Sequence, residues 1–234
     1  MPISEFCIAK PPLELHGLCY RPAEEGRFPV IILGHEFGLT MRSPARFAKR
    51  LCPAGFVVLV FDFCGSGKSR GRKASETSVL TQKEDLALVL DYAKTLPFAD
   101  SDHLILGGCS QGGLAAALLA VEREAEIEKL VLLYPGFSIP DNTRKSKAVA
   151  PFLKRWQKYI ADACTLEPWR EICGFSKPVL ICHGTADTIV NIHYARQAAK
   201  RYPNCTLVEF RGGYHMLFAS VRRAAEAIID FLQS

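Results

Sequence analysis

The stretch His103-Leu104-Ile105-Leu106-Gly107-Gly108-Cys109-Ser110-Gln111-Gly112-Gly113-Leu114, continuing through Ala120, decides the fold. It opens on an apolar run suited to a buried strand and closes on a small-residue segment with helical spacing, with Gly108-Cys109-Ser110-Gln111-Gly112 between them. A G-x-S-x-G pattern in that setting places a serine on a sharp strand-to-helix turn. Glycines two before and two after are required there because neighbouring backbone comes too close for side chains. Ser110 is therefore the expected nucleophile. Only the central residue of such a turn is presented to substrate, so Cys109 is expected to pack into the core.

A serine hydroxyl is a poor nucleophile at neutral pH and must pass its proton to a base, normally a histidine oriented by a carboxylate. Downstream, Asp187 lies in His183-Gly184-Thr185-Ala186-Asp187, just past the apolar run Val179 to His183. His215 lies in Gly212-Gly213-Tyr214-His215, past the run Thr206 to Phe210 and before the last helical pattern. The order Ser, Asp, His, with each residue in a loop after a different strand, is the order this architecture uses. The remaining histidines fit other roles: His16 and His193 as surface or capping residues, His103 and His183 as structural ones. Asp62 also follows a strand but precedes Ser110, and it is expected to fasten the Gly65 to Gly71 loop.

Acyl transfer needs donors for the oxyanion. One is the backbone amide after the nucleophile, here Gln111, and the other is expected from the loop Gly34-His35-Glu36-Phe37-Gly38, at Phe37. His35 is read as a brace for that loop.

Working outward, short apolar runs alternate with helical patterns, the signature of a mainly parallel sheet covered by helices on both faces. Strands are expected at 5–10, 13–20, 28–34, 56–62, 103–109, 129–134, 179–183 and 206–210, the first two as an antiparallel hairpin. Helical spacing appears at 43–51, 77–95, 110–121, 193–201 and 216–231. From Gly136 to Ser176, with prolines at 140, 151 and 168 and one helical pattern around Phe152 to Ala163, no strand is expected. That stretch reads as an insertion over the top of the sheet, within one domain spanning 1–234.

Composition narrows the partners. With 49% hydrophobic and 23% charged residues the chain is foldable, not disordered, and its longest apolar runs fall far short of a membrane-spanning helix. Met1 to Lys10 lacks the basic start and apolar stretch of a secretory signal. Nine cysteines without a Cys-x-x-Cys pair imply free thiols in a reducing cytoplasm and no structural zinc site. Gly65-Ser66-Gly67-Lys68-Ser69 ends like a phosphate loop, but the glycine that spacing demands is Asp62, so no nucleotide site is expected. Six basic residues between Arg144 and Lys158 read as a solvated helix face and not as a nucleic-acid patch. No cofactor or metal is implied.

At this point the sequence resembles the α/β-hydrolase superfamily and, more narrowly, the bacterial cinnamoyl (feruloyl) esterases. The resemblance spans nearly the whole chain. It rests on Gly34 to Gly38, on Asp62-Phe63-Cys64-Gly65-Ser66-Gly67-Lys68-Ser69, on Ser110-Gln111-Gly112-Gly113 and on His183 to Asp187. It implies an α/β-hydrolase fold with an eight-stranded, mostly parallel sheet, a triad of Ser110, Asp187 and His215, and an oxyanion hole from the Phe37 and Gln111 amides. The implied reaction is hydrolysis of small carboxylic esters, hydroxycinnamoyl esters among them. Cys109 and Glu36 stand where that group usually has histidine and glycine, and the 136–176 insertion is shorter than its cap. The resemblance places Tyr159 and Asp141 where cap residues hold the phenolic ring. The motif specifies acyl transfer and not the leaving group, so a peptidase or thioesterase with the same triad stays open, as does a hydrolase-fold binding protein without turnover.

Overall fold

All eight apolar runs become strands. A computed structural model describes residues 1–146 and 156–234. Its strands are β1 (Ile3–Lys10), β2 (Leu13–Tyr20), β3 (Phe28–Gly34), β4 (Val57–Phe61), β5 (Ala99–Cys109), β6 (Lys129–Leu133), β7 (Val179–Gly184) and β8 (Cys205–Phe210). They form one sheet in the order β1-β2-β4-β3-β5-β6-β7-β8. The hairpin β1–β2 is antiparallel, as expected from two runs with no helix between them, and β2 also joins β4 antiparallel. From β4 to β8 every pairing is parallel.

Strands buried on both faces read as unbroken apolar runs, and the side-chain period of two divides each run between two cores. Val30, Ile32, Leu104, Leu106, Leu130, Leu132, Val179 and Ile181 face one core, with helices α2 (Val79–Ala93), α3 (Gln111–Glu122) and α7 (Ile192–Ala199). Ile31, Leu33, Ile105, Val131, Leu133 and Leu180 face the other, with α1 (Ala45–Leu51) and α8 (Val221–Gln233). All nine cysteines are free, and Cys109 is buried in the second core. Among the described residues no helix is long and apolar enough to cross a membrane.

Several boundaries differ from expectation, each for a local reason. β5 begins at Ala99 rather than His103, because Phe28 and Pro29 pair with Ala99 and Asp100 before the register shifts between Pro29 and Val30. The polar residues in that shift hide the strand in the sequence. His103 therefore lies inside β5, exposed and paired with Glu128 at 2.9 Å. The last helical pattern splits: residues 215–220 form a 3₁₀ turn with left-handed backbone at Met216 and Leu217, and α8 starts only at Val221. α2 starts at Val79, where the Ser78 hydroxyl accepts from the Thr81 amide and the Ser78 amide donates to the Thr81 hydroxyl. The cap of α7 is Asn191, whose side chain accepts from the amide of His193; His193 is not itself the cap.

Between β6 and β7 the described residues carry three helices, α4 (Ile139–Ser146), α5 (Gln157–Thr165) and α6 (Pro168–Glu171), where a single helical pattern was expected. Pro140 and Pro168 sit in first turns, where a missing amide hydrogen is harmless, so they begin helices rather than break them. The expected start of the single pattern, Phe152, and Pro151 lie outside the described residues. Of the basic run, Arg144 pairs with Asp141 and Glu167 and Lys158 pairs with Asp162. Lys147, Lys154 and Arg155 also lie outside the described residues.

Candidate active site

Ser110 joins β5 to α3 with φ 50° and ψ −115°, a backbone conformation that costs energy for any residue with a side chain. Three hydrogen bonds hold it there: its amide donates to the Leu133 carbonyl at 2.9 Å, and its carbonyl accepts from the amides of Gly136 at 2.7 Å and Leu114 at 3.1 Å. The glycines of the motif are steric necessities. A Cβ on Gly108 would lie 2.4 Å from the Gly112 carbonyl carbon, and one on Gly112 would lie 2.5 Å from the His35 carbonyl oxygen. The motif thus packs the serine turn directly against the loop after β3.

Asp187 and His215 follow β7 and β8 and meet Ser110 at one edge of the sheet. The His215 Nδ1–H donates to Asp187 Oδ2 at 2.7 Å, which leaves Nε2 to accept from the Ser110 hydroxyl at 3.1 Å. The Asp187 side chain is fully buried. Its Oδ1 accepts from the amides of Ile189 and Val190, both at 2.9 Å. Burial alone would raise its pKa. Hydrogen bonds from His183, His215 and the Val190 amide outweigh that and hold the carboxyl well below the usual carboxylate range.

His183 does more than fill space. Its Nε2 lies 2.8 Å from the Val190 carbonyl oxygen and 3.1 Å from Asp187 Oδ2, both acceptors, so Nε2 carries the proton and shares it between them. The sequence signal was present: His183 is the next-to-last residue of β7 and stands four residues before Asp187 across a tight turn. Cys109 is buried beneath Ser110, and burial pushes its thiol well above the ordinary range, which excludes it as a thiolate nucleophile at neutral pH. Asp62 has both oxygens engaged, by the amides of Met41 at 2.8 Å and Lys68 at 2.9 Å, so it fastens the Gly65 to Gly71 loop as expected.

The loop after β3 is braced by His35, which donates from Nδ1 to the Glu36 carbonyl at 2.7 Å and accepts at Nε2 from the Phe63 amide at 3.1 Å. Burial lowers its pKa and so favours this neutral form. Among the described residues neither the Phe37 nor the Gln111 amide donates to a protein acceptor. The Phe37 ring is 46% exposed and packs 5.5 Å from Trp156 and 5.4 Å from Tyr159. These three rings, with Asn142, Thr143, Ser146 and Ile160, line a cavity of about 280 Å³. Burial pushes the Tyr159 phenol up to about 12, so it stays neutral. Asp141 lies off this cavity: its carboxylate accepts from the Tyr194 hydroxyl at 3.0 Å and faces Arg144 at 3.5 Å. The polar wall positions are Asn142, Thr143 and Ser146, one to five residues further along, which the sequence reading did not single out.

The family model described as Serine aminopeptidase, S33, matches residues 27–168, which take in Phe37 and Ser110 and stop short of Asp187 and His215. The quorum-quenching protein AidA of Acinetobacter baumannii is 34% identical over 95 residues, 40% of this chain and 31% of its own. The thiohydrolase apmlB of Arthrinium phaeospermum is 29% identical over 147 residues, 57% of this chain and 44% of its own. The chain thus spans less than half the length of these curated relatives. Among solved structures, Est1E from Butyrivibrio proteoclasticus with ferulic acid bound is 26% identical, with a TM-score of 0.89 over 97% of this chain and 98% of its own.

Proposed function

The chain belongs to the serine aminopeptidase S33 family of α/β hydrolases, and from that membership we propose that it is a serine hydrolase cleaving small carboxylic esters through an acyl-enzyme on Ser110. The observation that carries this reading is the unbroken line of hydrogen bonds from Asp187 through His215 to Ser110, set beside two amides without protein acceptors. In the first step Ser110 Oγ attacks the ester carbonyl while His215 Nε2 takes its proton. Asp187 holds the imidazole tautomer and stabilises the imidazolium. The Phe37 and Gln111 amides hold the developing oxyanion. His215 then protonates the leaving alcohol, accepts a proton from water, and returns it to Ser110 as the acyl-enzyme hydrolyses.

The cavity bears on the acyl group. An aminopeptide substrate brings an α-ammonium that needs a carboxylate, and among the described residues the cavity wall has none; it offers three aromatic rings and neutral polar groups. At about 280 Å³ it suits a small aromatic acyl group, close to the roughly 300 Å³ lower bound of ordinary ligand pockets. The bound ferulic acid of Est1E supports a hydroxycinnamoyl ester as that group. In this reading residues 136–176 act as a short cap, with Tyr159 on the acyl ring and Asp141 positioning α4 rather than touching substrate. The likeness to a thiohydrolase supports thioesters as a second leaving-group class.

The test compares kcat/KM for methyl ferulate, p-nitrophenyl butyrate, a butyryl thioester and an aminoacyl anilide, in wild type and Ser110→Ala. Turnover of both esters above the anilide is expected, with kcat falling by about 10³- to 10⁶-fold in the variant. Ester turnover in Ser110→Ala within about tenfold of wild type, or preference for the anilide, would overturn the proposal.

A further inference from the structure

Glu36 precedes Phe37 in the loop after β3 and is only 4% exposed. A buried carboxylate is costly unless it is paired and hydrogen-bonded. Its Oε1 accepts from the Ser43 hydroxyl and from the Tyr134 hydroxyl, each at 2.8 Å, and lies 3.7 Å from Arg46 Nη2. The same Arg46 Nη2 donates to the Tyr134 hydroxyl oxygen at 2.7 Å and to the Met216 carbonyl at 2.7 Å. Met216 immediately follows His215, and the Tyr134 ring stands edge-on to the His215 ring at 4.9 Å. Tyr134 also follows Leu133, whose carbonyl holds the Ser110 amide. Three side chains therefore connect the loop bearing the Phe37 amide, the turn bearing Ser110 and the loop bearing His215.

Two features mark this cluster as more than packing. Tyr134, Met216 and Leu217 all have left-handed backbone, with φ of 39°, 70° and 52°, so the network grips strained backbone at two of its ends. Glu36 Oε2 and Arg46 Nε and Nη1 are buried with no hydrogen-bond partner among the described residues, the guanidinium packing instead over the Phe47 and Phe218 rings. A network this incompletely satisfied is a poor way to gain stability, since an apolar core would do better.

From these contacts we infer that Glu36, Tyr134 and Arg46 are positioning residues for acyl transfer, fixing the Phe37 amide relative to the His215 imidazole. The inference rests on the proposed serine hydrolase reading. A line of side chains about one hydrogen bond long at each link converts displacement of one loop into displacement of the other, and misplacement of about 1 Å can cost about 100-fold in rate. Arg46 can bridge Tyr134 and Met216 because both acceptors lie on one guanidinium nitrogen.

The experiment measures kcat and KM on p-nitrophenyl butyrate for Tyr134→Phe, Glu36→Ala, Glu36→Gln and the Tyr134→Phe/Glu36→Ala double variant, normalised to sites titrated by a phosphonate. Affinity for a trifluoromethyl ketone, which forms a tetrahedral adduct, is measured beside affinity for the product acid. Tyr134→Phe and Glu36→Ala are expected to lower kcat by about 10- to 100-fold with KM changed less than about threefold. Ketone affinity should fall in parallel with kcat/KM while product affinity stays constant. Glu36→Gln, whose amide oxygen still accepts from both hydroxyls, should recover most of the rate, and the double variant should be no worse than Glu36→Ala. Should Glu36→Ala fail to fold, Tyr134→Phe and Glu36→Gln decide alone. Near-wild-type kcat per titrated site in Tyr134→Phe, or equal loss of ketone and product affinity, would overturn the inference. Full activity of Ser110→Ala in the same assay would instead remove the hydrolase reading beneath it.

Discussion

Asp187 is a buried carboxylate held ionised by four donors: two backbone amides, His215 and His183. Its pKa is depressed, so its contribution to stability is present above the ordinary carboxylate range and is lost only as pH falls through the depressed value. An acid limb in the rate above about pH 5 therefore does not belong to Asp187. Asp187→Asn keeps the shape but can present an N–H to His215 Nδ1, favouring the wrong tautomer. A kcat loss of about 10⁴-fold with little change in KM is expected from steady-state kinetics. The stability gap between wild type and this variant, from urea titrations, should be flat from about pH 5 to 7 and shrink below about pH 4. At this scale Ser110, Asp187 and His215 were readable because each follows a different apolar run in a turn with characteristic neighbours. Tyr134 and Arg46 were not, since their roles depend on contacts such as Tyr134 to Glu36, 98 residues apart, that no local pattern encodes.

Among elements, the central strands were the most readable because burial on both faces forces continuous apolar runs, whereas the edges of β5 and the helices between β6 and β7 follow from register and side-chain partners. α2 shows what the sequence hides. Asp85 on α2 accepts from the Cys64 amide at 2.8 Å and pairs with Arg72, tying the helix to the loop after β4. Burial, only partly offset by Arg72 and the Cys64 amide, pushes its pKa up to about 6. A raised carboxyl pKa means the folded state binds the proton more tightly, so this group's contribution to stability falls as pH rises from about 4 to 6 and is flat above. The stability difference of wild type over Asp85→Asn, measured by urea denaturation, should therefore grow by on the order of 2 kcal/mol as pH drops from 7 to 4. A difference that grows with rising pH would show that Arg72 dominates over burial.

For the whole molecule, the sheet brings residues from three strand ends to one edge, and residues of the α4 and α5 region line a cavity together with Phe37 of the loop after β3. The proposed division of labour, chemistry at the sheet and selection at the cap, predicts separable effects. Tyr159→Ala should raise KM for methyl ferulate by about tenfold, a loss within the 1–3 kcal/mol range of a pocket contact, and leave p-nitrophenyl butyrate within about twofold. Equal effects on both esters would place Tyr159 in the scaffold instead. The central claim is that Ser110 is the nucleophile. Its most direct measurement is mass spectrometry of the protein inactivated by diethyl p-nitrophenyl phosphate, with residual esterase activity followed alongside. The account predicts a single diethylphosphoryl group on the peptide containing Ser110, at a stoichiometry equal to the activity lost. Label on another residue, or full activity with Ser110 labelled, would contradict it.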